Sequence, residues 1–189
     1  MFPSYLENPT HLRFEGQDKE EKILLLLRAH PITNLSWIIP AILLFFIPFF
    51  VFGGENSFIP AVFSLVNFDL SPIPMQFQII LLIINYLLIL TIIFEGFLHW
   101  YFNVYIVTDK NIIDVDFHSI LFKNIDVAPL RNIEDTSSSM GGILNAIFHY
   151  GHVFIQTAGT TKNIDLHNVA RPHHVADFIL DRTHHIHGA

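Results

Sequence analysis

Between Arg28 and Lys110 this chain carries no lysine or arginine, and two long apolar runs, Ile32 to Phe52 and Phe77 to Leu98, lie inside that gap. Each run is about twenty residues, which at about 1.5 Å of helical rise per residue reaches about 30 Å, the thickness of a bilayer's hydrocarbon core. No full charge enters either run before Glu95. The pattern predicts a two-helix membrane anchor over residues 32–100, with helices at about 32–52 and 77–98 and an extracytoplasmic connection between them. Function must then be sought mainly outside the membrane.

Composition agrees with that division. The chain is 51% hydrophobic and holds 19 phenylalanines, more than an ordinary soluble domain needs but natural where apolar side chains face lipid. Residues 1–31 contain five acidic and four basic residues and lack the basic start and early apolar stretch of a cleavable signal, so the first helix is expected to stay as an anchor. Cysteine is absent, which excludes disulfides and thiolate metal sites.

The basic residues give an orientation. Arg13, Lys19, Lys22 and Arg28 precede the first apolar run and six more follow the second, while Gly53 to Gln76 has none. By the positive-inside rule both termini are cytoplasmic. The stretch Phe58 to Phe68 is too short to span and is expected to rest at the outer interface. Trp37, Trp100 and Tyr101 suit an aromatic belt. Within the anchor, Pro40 and Pro48 are tolerable in a membrane helix, and Asn85 is placed to hold helices together by a polar contact. Glu95 and His99, four residues apart, share a helical face that would suit proton relay or metal ligation, although an interfacial cap is the simpler reading.

After the second run the periodicity changes to alternation. Val104 to Val107, the turn Thr108-Asp109-Lys110-Asn111, and Ile113, Val115, Phe117 alternating with Asp114 and Asp116 predict an antiparallel hairpin. Further short strands fit 123–128, 132–137, 152–157 and 163–166, with a short helix or tight connection from Ile143 to Tyr150 after Gly141-Gly142. Pro172 opens a terminal helix over about 172–187, with Gly188 as its stop, and Val175, Phe178, Ile179, Arg182 and Ile186 along one side. Strands followed by one closing helix make an α+β module over residues 101–189, either a sheet or a small barrel.

Three stretches carry a resemblance: Tyr105-Ile106-Val107-Thr108-Asp109-Lys110-Asn111-Ile112-Ile113, Val127-Ala128-Pro129-Leu130-Arg131-Asn132-Ile133-Glu134-Asp135, and Tyr150-Gly151-His152-Val153-Phe154-Ile155-Gln156-Thr157-Ala158-Gly159. With Asn168-Val169-Ala170-Arg171-Pro172 before the last helix, they resemble the bacterial pleckstrin-homology-like domain of the YdbS/YdbT type (bPH2) over about residues 101 to 183. The resemblance implies a bent pleckstrin-homology-like sheet or barrel closed by a C-terminal helix, held on the cytoplasmic face of a prokaryotic membrane. It implies no reaction or cofactor.

Charge and motifs narrow the function. From Asp109 onward there are six basic and nine acidic residues, a poor endowment for nucleic acid or phosphoinositides, both of which demand clustered cations. Lys110 sits among aspartates, and Lys123 is isolated in sequence; these two are the candidate contact cations. No G-x-S-x-G, H-E-x-x-H or Gly-rich phosphate loop occurs, and Ser137-Ser138-Ser139 beside two glycines reads as a connection. Of the 12 histidines, His173, His184 and His185 recur with Asp177 and Asp181 at helical spacing, a pattern that suits a metal but is accounted for by a solvated face. The expectation is a non-enzymatic, membrane-anchored binding or assembly module that engages membrane-borne proteins or copies of itself, without metal or cofactor. The alternative is a small metal-binding or proton-coupled membrane protein using Glu95 and His99 or the C-terminal histidines.

Overall fold

The computed structural model describes residues 4–9, 12–14, 17–18, 20–52, 74–119, 122–159 and 162–187. The expected outer connection and its Phe58 to Phe68 stretch lie outside these residues, as does Gly188. The chain divides into two compact units, one of residues 34–97 and one combining residues up to 33 with those from 98 onward.

The first unit is a pair of helices, α1 (Leu35–Phe52) and α2 (Met75–Phe102, whose last turn belongs to the second unit), with a 3-10 turn at Pro31–Asn34 leading into α1. Pro40 and Pro48 both fall inside α1. The two are long and apolar enough to cross a membrane. Both are apolar on every side, and side chains such as Phe49 and Leu90 are exposed, which distinguishes them from the buried core helix of a soluble protein. They approach closely where Gly96 meets Trp37: a Cβ on Gly96 would lie 2.5 Å from the indole ring. Small residues permit such contacts between apolar helices, and the edge-on pair Phe45 and Tyr86, 5.8 Å between centroids, continues the contact.

The second unit is α+β. Its strands are β1 (Tyr5–Glu7), β2 (Ile23–Arg28), β3 (Val104–Thr108), β4 (Asn111–Ser119), β5 (Phe122–Pro129), β6 (Ile133–Ser139), β7 (Tyr150–Thr157) and β8 (Ile164–Ala170). Its further helices are α3 (Ile143–Phe148) and α4 (Pro172–His187). The strands make two antiparallel sheets, one ordered β1-β2-β3-β4-β5 and one ordered β6-β7-β8, rather than a closed barrel. The turn Leu130–Asn132 after Pro129 separates β5 from β6; a proline has no N–H to carry the ladder onward. A bridge between Ala29 and Val169 links the sheets at another corner. α4 packs across the open side, mainly on β6 and β7.

The core lies between the sheets and α4. Leu25, Leu27, Val107 and Ile112 meet Val153, Ile155, Ile164 and Leu166, and Val175, Ala176 and Ile179 close it. On α4 the buried side runs through Val175, Ala176, Ile179 and Thr183, with Phe178 half-buried; Ile186 and Arg182 are exposed, the Arg182 guanidinium lying over the Phe178 ring at 5.2 Å. Gly151 is buried where β7 crosses the start of α4. A Cβ there would collide with the Ser139 carbonyl, so this member of the Tyr150-Gly151 pair is a packing device.

The N-terminal segment corrects the expected boundary at residue 101. β2 pairs with β3 along five positions, from Ile23↔Thr108 to Arg28↔Val104, and so is the second strand of the larger sheet rather than part of a polar tail. The domain is assembled from both sides of the helical pair. The same segment explains the Thr108-Asp109-Lys110-Asn111 motif. The Thr108 hydroxyl accepts the backbone N–H of Lys110 and Asn111, at 3.2 and 2.8 Å. The buried Glu21 carboxylate accepts the Thr108 hydroxyl at 2.6 Å and the Asn111 amide at 3.0 Å. Asp109 in turn accepts the Lys22 N–H. The motif is a turn clamped from 87 residues away in sequence, and burying a carboxylate there is tolerable because its oxygens are satisfied.

Candidate functional site

In the larger sheet the alternation along β4 holds, but its apolar members do not face the main core. Register places Leu26, Ile106, Ile113 and Val127 side by side in one row, and Arg28, Val104, Val115 and Ile125 in the next. Both rows lie on the sheet's outer face, opposite Leu25, Leu27, Val107 and Ile112. Ile23, Ile106 and Ile113 form a second, smaller apolar cluster there, with Phe14 against it. A half-solvated antiparallel sheet ordinarily carries polar residues on its open side. This one is apolar on both faces, and Ile125 and Val127 on the edge strand are exposed.

An open cleft of about 470 Å³ lies in this face, with walls from Phe14, Leu26, Ile106, Val115, Phe117 and Phe102. Its cationic members are Arg13 and Arg28. The Arg28 guanidinium lies over the Tyr101 ring at 4.8 Å, and its Nε is buried with no hydrogen-bond partner among the described residues. Such a donor is costly unless something completes it. Apolar walls with an unsatisfied guanidinium N–H suit a hydrophobic side chain or segment that also presents a carbonyl or carboxylate oxygen.

The cleft's far wall is held by a short network. Asn103 Oδ1 accepts the Phe117 N–H at 2.6 Å, and His99 Nδ1 bonds the Phe117 carbonyl at 3.0 Å. The Asn103 amide approaches His99 Nε2 at 3.2 Å, which fits the imidazole tautomer protonated at Nδ1. Trp100 donates its indole N–H to the Ala29 carbonyl at 2.9 Å. His99, a candidate relay or ligand residue, thus uses both ring nitrogens to fix the end of β4.

The other sequence candidates are dispersed. Lys110 makes an ion pair with Asp18 at 3.2 Å, and that carboxylate raises the Lys110 pKa. Lys123 lies on β5 with its side chain outside the described residues. Glu95 is exposed on α2, and Asn85 is half-buried there with an Oδ1 that has no partner among the described residues. On α4, His173 bonds Ser138 at 2.6 Å, His174 bonds Tyr5 at 3.1 Å, and His185 lies 3.7 Å from Asp181. Among the described residues no three His, Asp or Glu side chains converge on a metal position.

Sequence reasoning missed the strand Ile23–Arg28, and with it the cleft. Its signal was the unbroken Ile23-Leu24-Leu25-Leu26-Leu27, the mark of a strand buried on both faces. Also unread was the inward side of β4, where Asp114 is half-buried; burial first, then the neighbouring carboxylates Asp116 and Asp126, push its pKa up to about 6. Lys162 pairs with Asp126 beside it.

Two antiparallel sheets closed by a C-terminal helix define a pleckstrin-homology-like domain joined to two apolar helices. The chain belongs to the bacterial PH domain family, whose model matches residues 42–183. That match begins inside α1, so β1 and β2 lie outside it. Among solved structures it is similar to a DUF1696 family protein with a pleckstrin-homology domain from Shewanella loihica PV-4, at 10% identity and a TM-score of 0.35, over 43% of this chain and 70% of that one. No curated protein matches.

Proposed function

We propose that this protein is a membrane-anchored binding module. α1 and α2 span a prokaryotic cell membrane, and the PH-like domain stands on its cytoplasmic side with both termini. The outer face of the larger sheet holds the apolar surface of a membrane-borne protein or of a second copy. Length, all-round apolarity and exposure support the anchor. Connectivity supports both flanks lying on one side, because β2 before the helical pair and β3 after it are neighbours in one sheet, and the lysines and arginines, all outside residues 29–109, support that side being cytoplasmic.

The binding role rests on one observation: four strands present an apolar outer face that holds an open cleft and an Arg28 Nε–H with no partner among the described residues. Apolar surface of this extent on a soluble face marks an interaction site. Tethering the domain to the bilayer raises its effective concentration toward partners in the same membrane. The charges point away from inositol lipids, since Lys110 and Lys162 already face Asp18 and Asp126. The module works by binding rather than by catalysis.

Photoreactive residues placed at Ile125 and Val115 in the full-length protein in native membranes test this. Both are expected to crosslink to protein, and Ile125→Asp is expected to abolish the product formed from the Val115 probe. A photoreactive residue at exposed Glu134, on the other sheet, is the control. Crosslinking no stronger than at Glu134, or unchanged by Ile125→Asp, would refute the outer face as the binding surface.

A further inference from the structure

We propose that α3 and the residue leading into it, Met140 to Phe148, form a membrane foot: an apolar knob that enters the headgroup and upper acyl region of the bilayer holding α1. The inference rests on the proposed anchor and adds a second point of contact to it. α3 buries none of its residues. Ile143 is 80% exposed and Ile147 60%, and Leu144, Phe148 and Met140 are exposed beside them. Between Asp135 and His149 there is no charged residue. A six-residue helix is far too short to persist on its own propensity, and an exposed apolar cluster of this density needs a counterpart.

Chain continuity identifies the counterpart. The Phe148 ring lies 6.3 Å from the His30 ring, which stacks on Tyr150 at 5.3 Å and 11°. The His30 N–H is fixed to the Asn168 carbonyl at 2.7 Å. The next residue, Pro31, begins the apolar span that runs to Phe52. The root of the knob is therefore pinned to the residue at which the chain passes from the domain into the proposed membrane segment. Charge sets the kind of contact: the unit of residues up to 33 and from 98 onward carries ten basic and fourteen acidic residues and gains nothing from anionic headgroups, so any contact with lipid must be apolar, and α3 offers one without a charge to desolvate. Gly141 and Gly142 leave the approach open, since a Cβ on either would meet nothing within 4 Å.

Because the chain has no cysteine, single cysteines can carry an environment-sensitive fluorophore. The full-length protein is labelled at Ile147→Cys, at Ile83→Cys on α2, and at Glu134→Cys. Glu134 stands six residues from Met140 along β6, about 20 Å away. Each is reconstituted into phosphatidylcholine and phosphatidylglycerol vesicles carrying a nitroxide near the glycerol end or near the methyl end of the acyl chain. The Ile147 probe is expected to emit as in an apolar medium and to be quenched about twofold or more by the shallow nitroxide, matching the depth of interfacial helices. The Glu134 probe should stay unquenched, and Ile83 should respond to the deep nitroxide. An Ile147 probe as wet as Glu134, with Ile83 quenched, overturns the foot and leaves the anchor standing. An apolar but lipid-unquenched Ile147 signal that fades as protein is diluted in lipid also overturns it, in favour of a second copy. An unquenched Ile83 removes the anchor and the foot together.

Discussion

Replacing Leu25 by alanine tests whether the segment before the helical pair belongs to the domain. Leu25 is fully buried in β2, a strand with neighbours on both sides, and its side chain enters the main core with Leu27, Val107 and Ile112. Truncation loses the transfer energy of the deleted carbons and leaves a cavity that a strand fixed on both edges can only partly close, so the cost should be about 3–4 kcal/mol. For a small domain with a urea slope of roughly 2 kcal/mol per molar, the unfolding midpoint should fall by about 1.5–2 M. Pulse proteolysis of the full-length protein in detergent across a urea series reads that midpoint directly. Ile125→Ala, exposed on the same sheet, is the companion and should cost under about 1 kcal/mol. If Leu25→Ala proved as mild as Ile125→Ala, β2 would not be part of the core.

Two further outcomes are expected. The Asp114 pKa of about 6 lies above its ordinary 3.8, so the folded state holds this proton to higher pH than the unfolded one and stability should fall as pH rises from about 4 to 6. Two pKa steps correspond to about 3 kcal/mol, which solvent screening of this half-open group reduces to roughly 1 kcal/mol. Asp114→Asn should remove that slope in urea titrations at several pH values and stabilise the protein at pH 7; an unchanged slope would refute the assignment. For topology, an impermeant thiol reagent on intact cells should label Ser57→Cys and leave Asp177→Cys untouched. Asp177 is exposed on α4. Labelling of Asp177→Cys in sealed cells would overturn the arrangement.

The sequence by itself determined the features whose signal is local. Two unbroken apolar runs, the alternation in β3 and β4, the proline that opens α4 and the turn residues after Thr108 each depend on neighbours within a few positions, so their elements could be read in order along the chain. Only the tertiary structure decided what depends on distant partners. Ile23 to Arg28 becomes a strand of the PH-like domain because Val104 to Thr108 pairs with it across the helical pair, and its apolar run, without alternation, announced no face. Alternation in β4 likewise marks a side but not which side is the core: Ile112 turned inward with Val107, and Ile113 and Val115 joined the outer rows once β2 and β5 were set in register. The cleft, the clamp of Glu21 on Thr108 and Asn111, and the contact of His30 with Phe148 all join residues far apart in the chain, and such sites are set by which strands pair rather than by any local pattern.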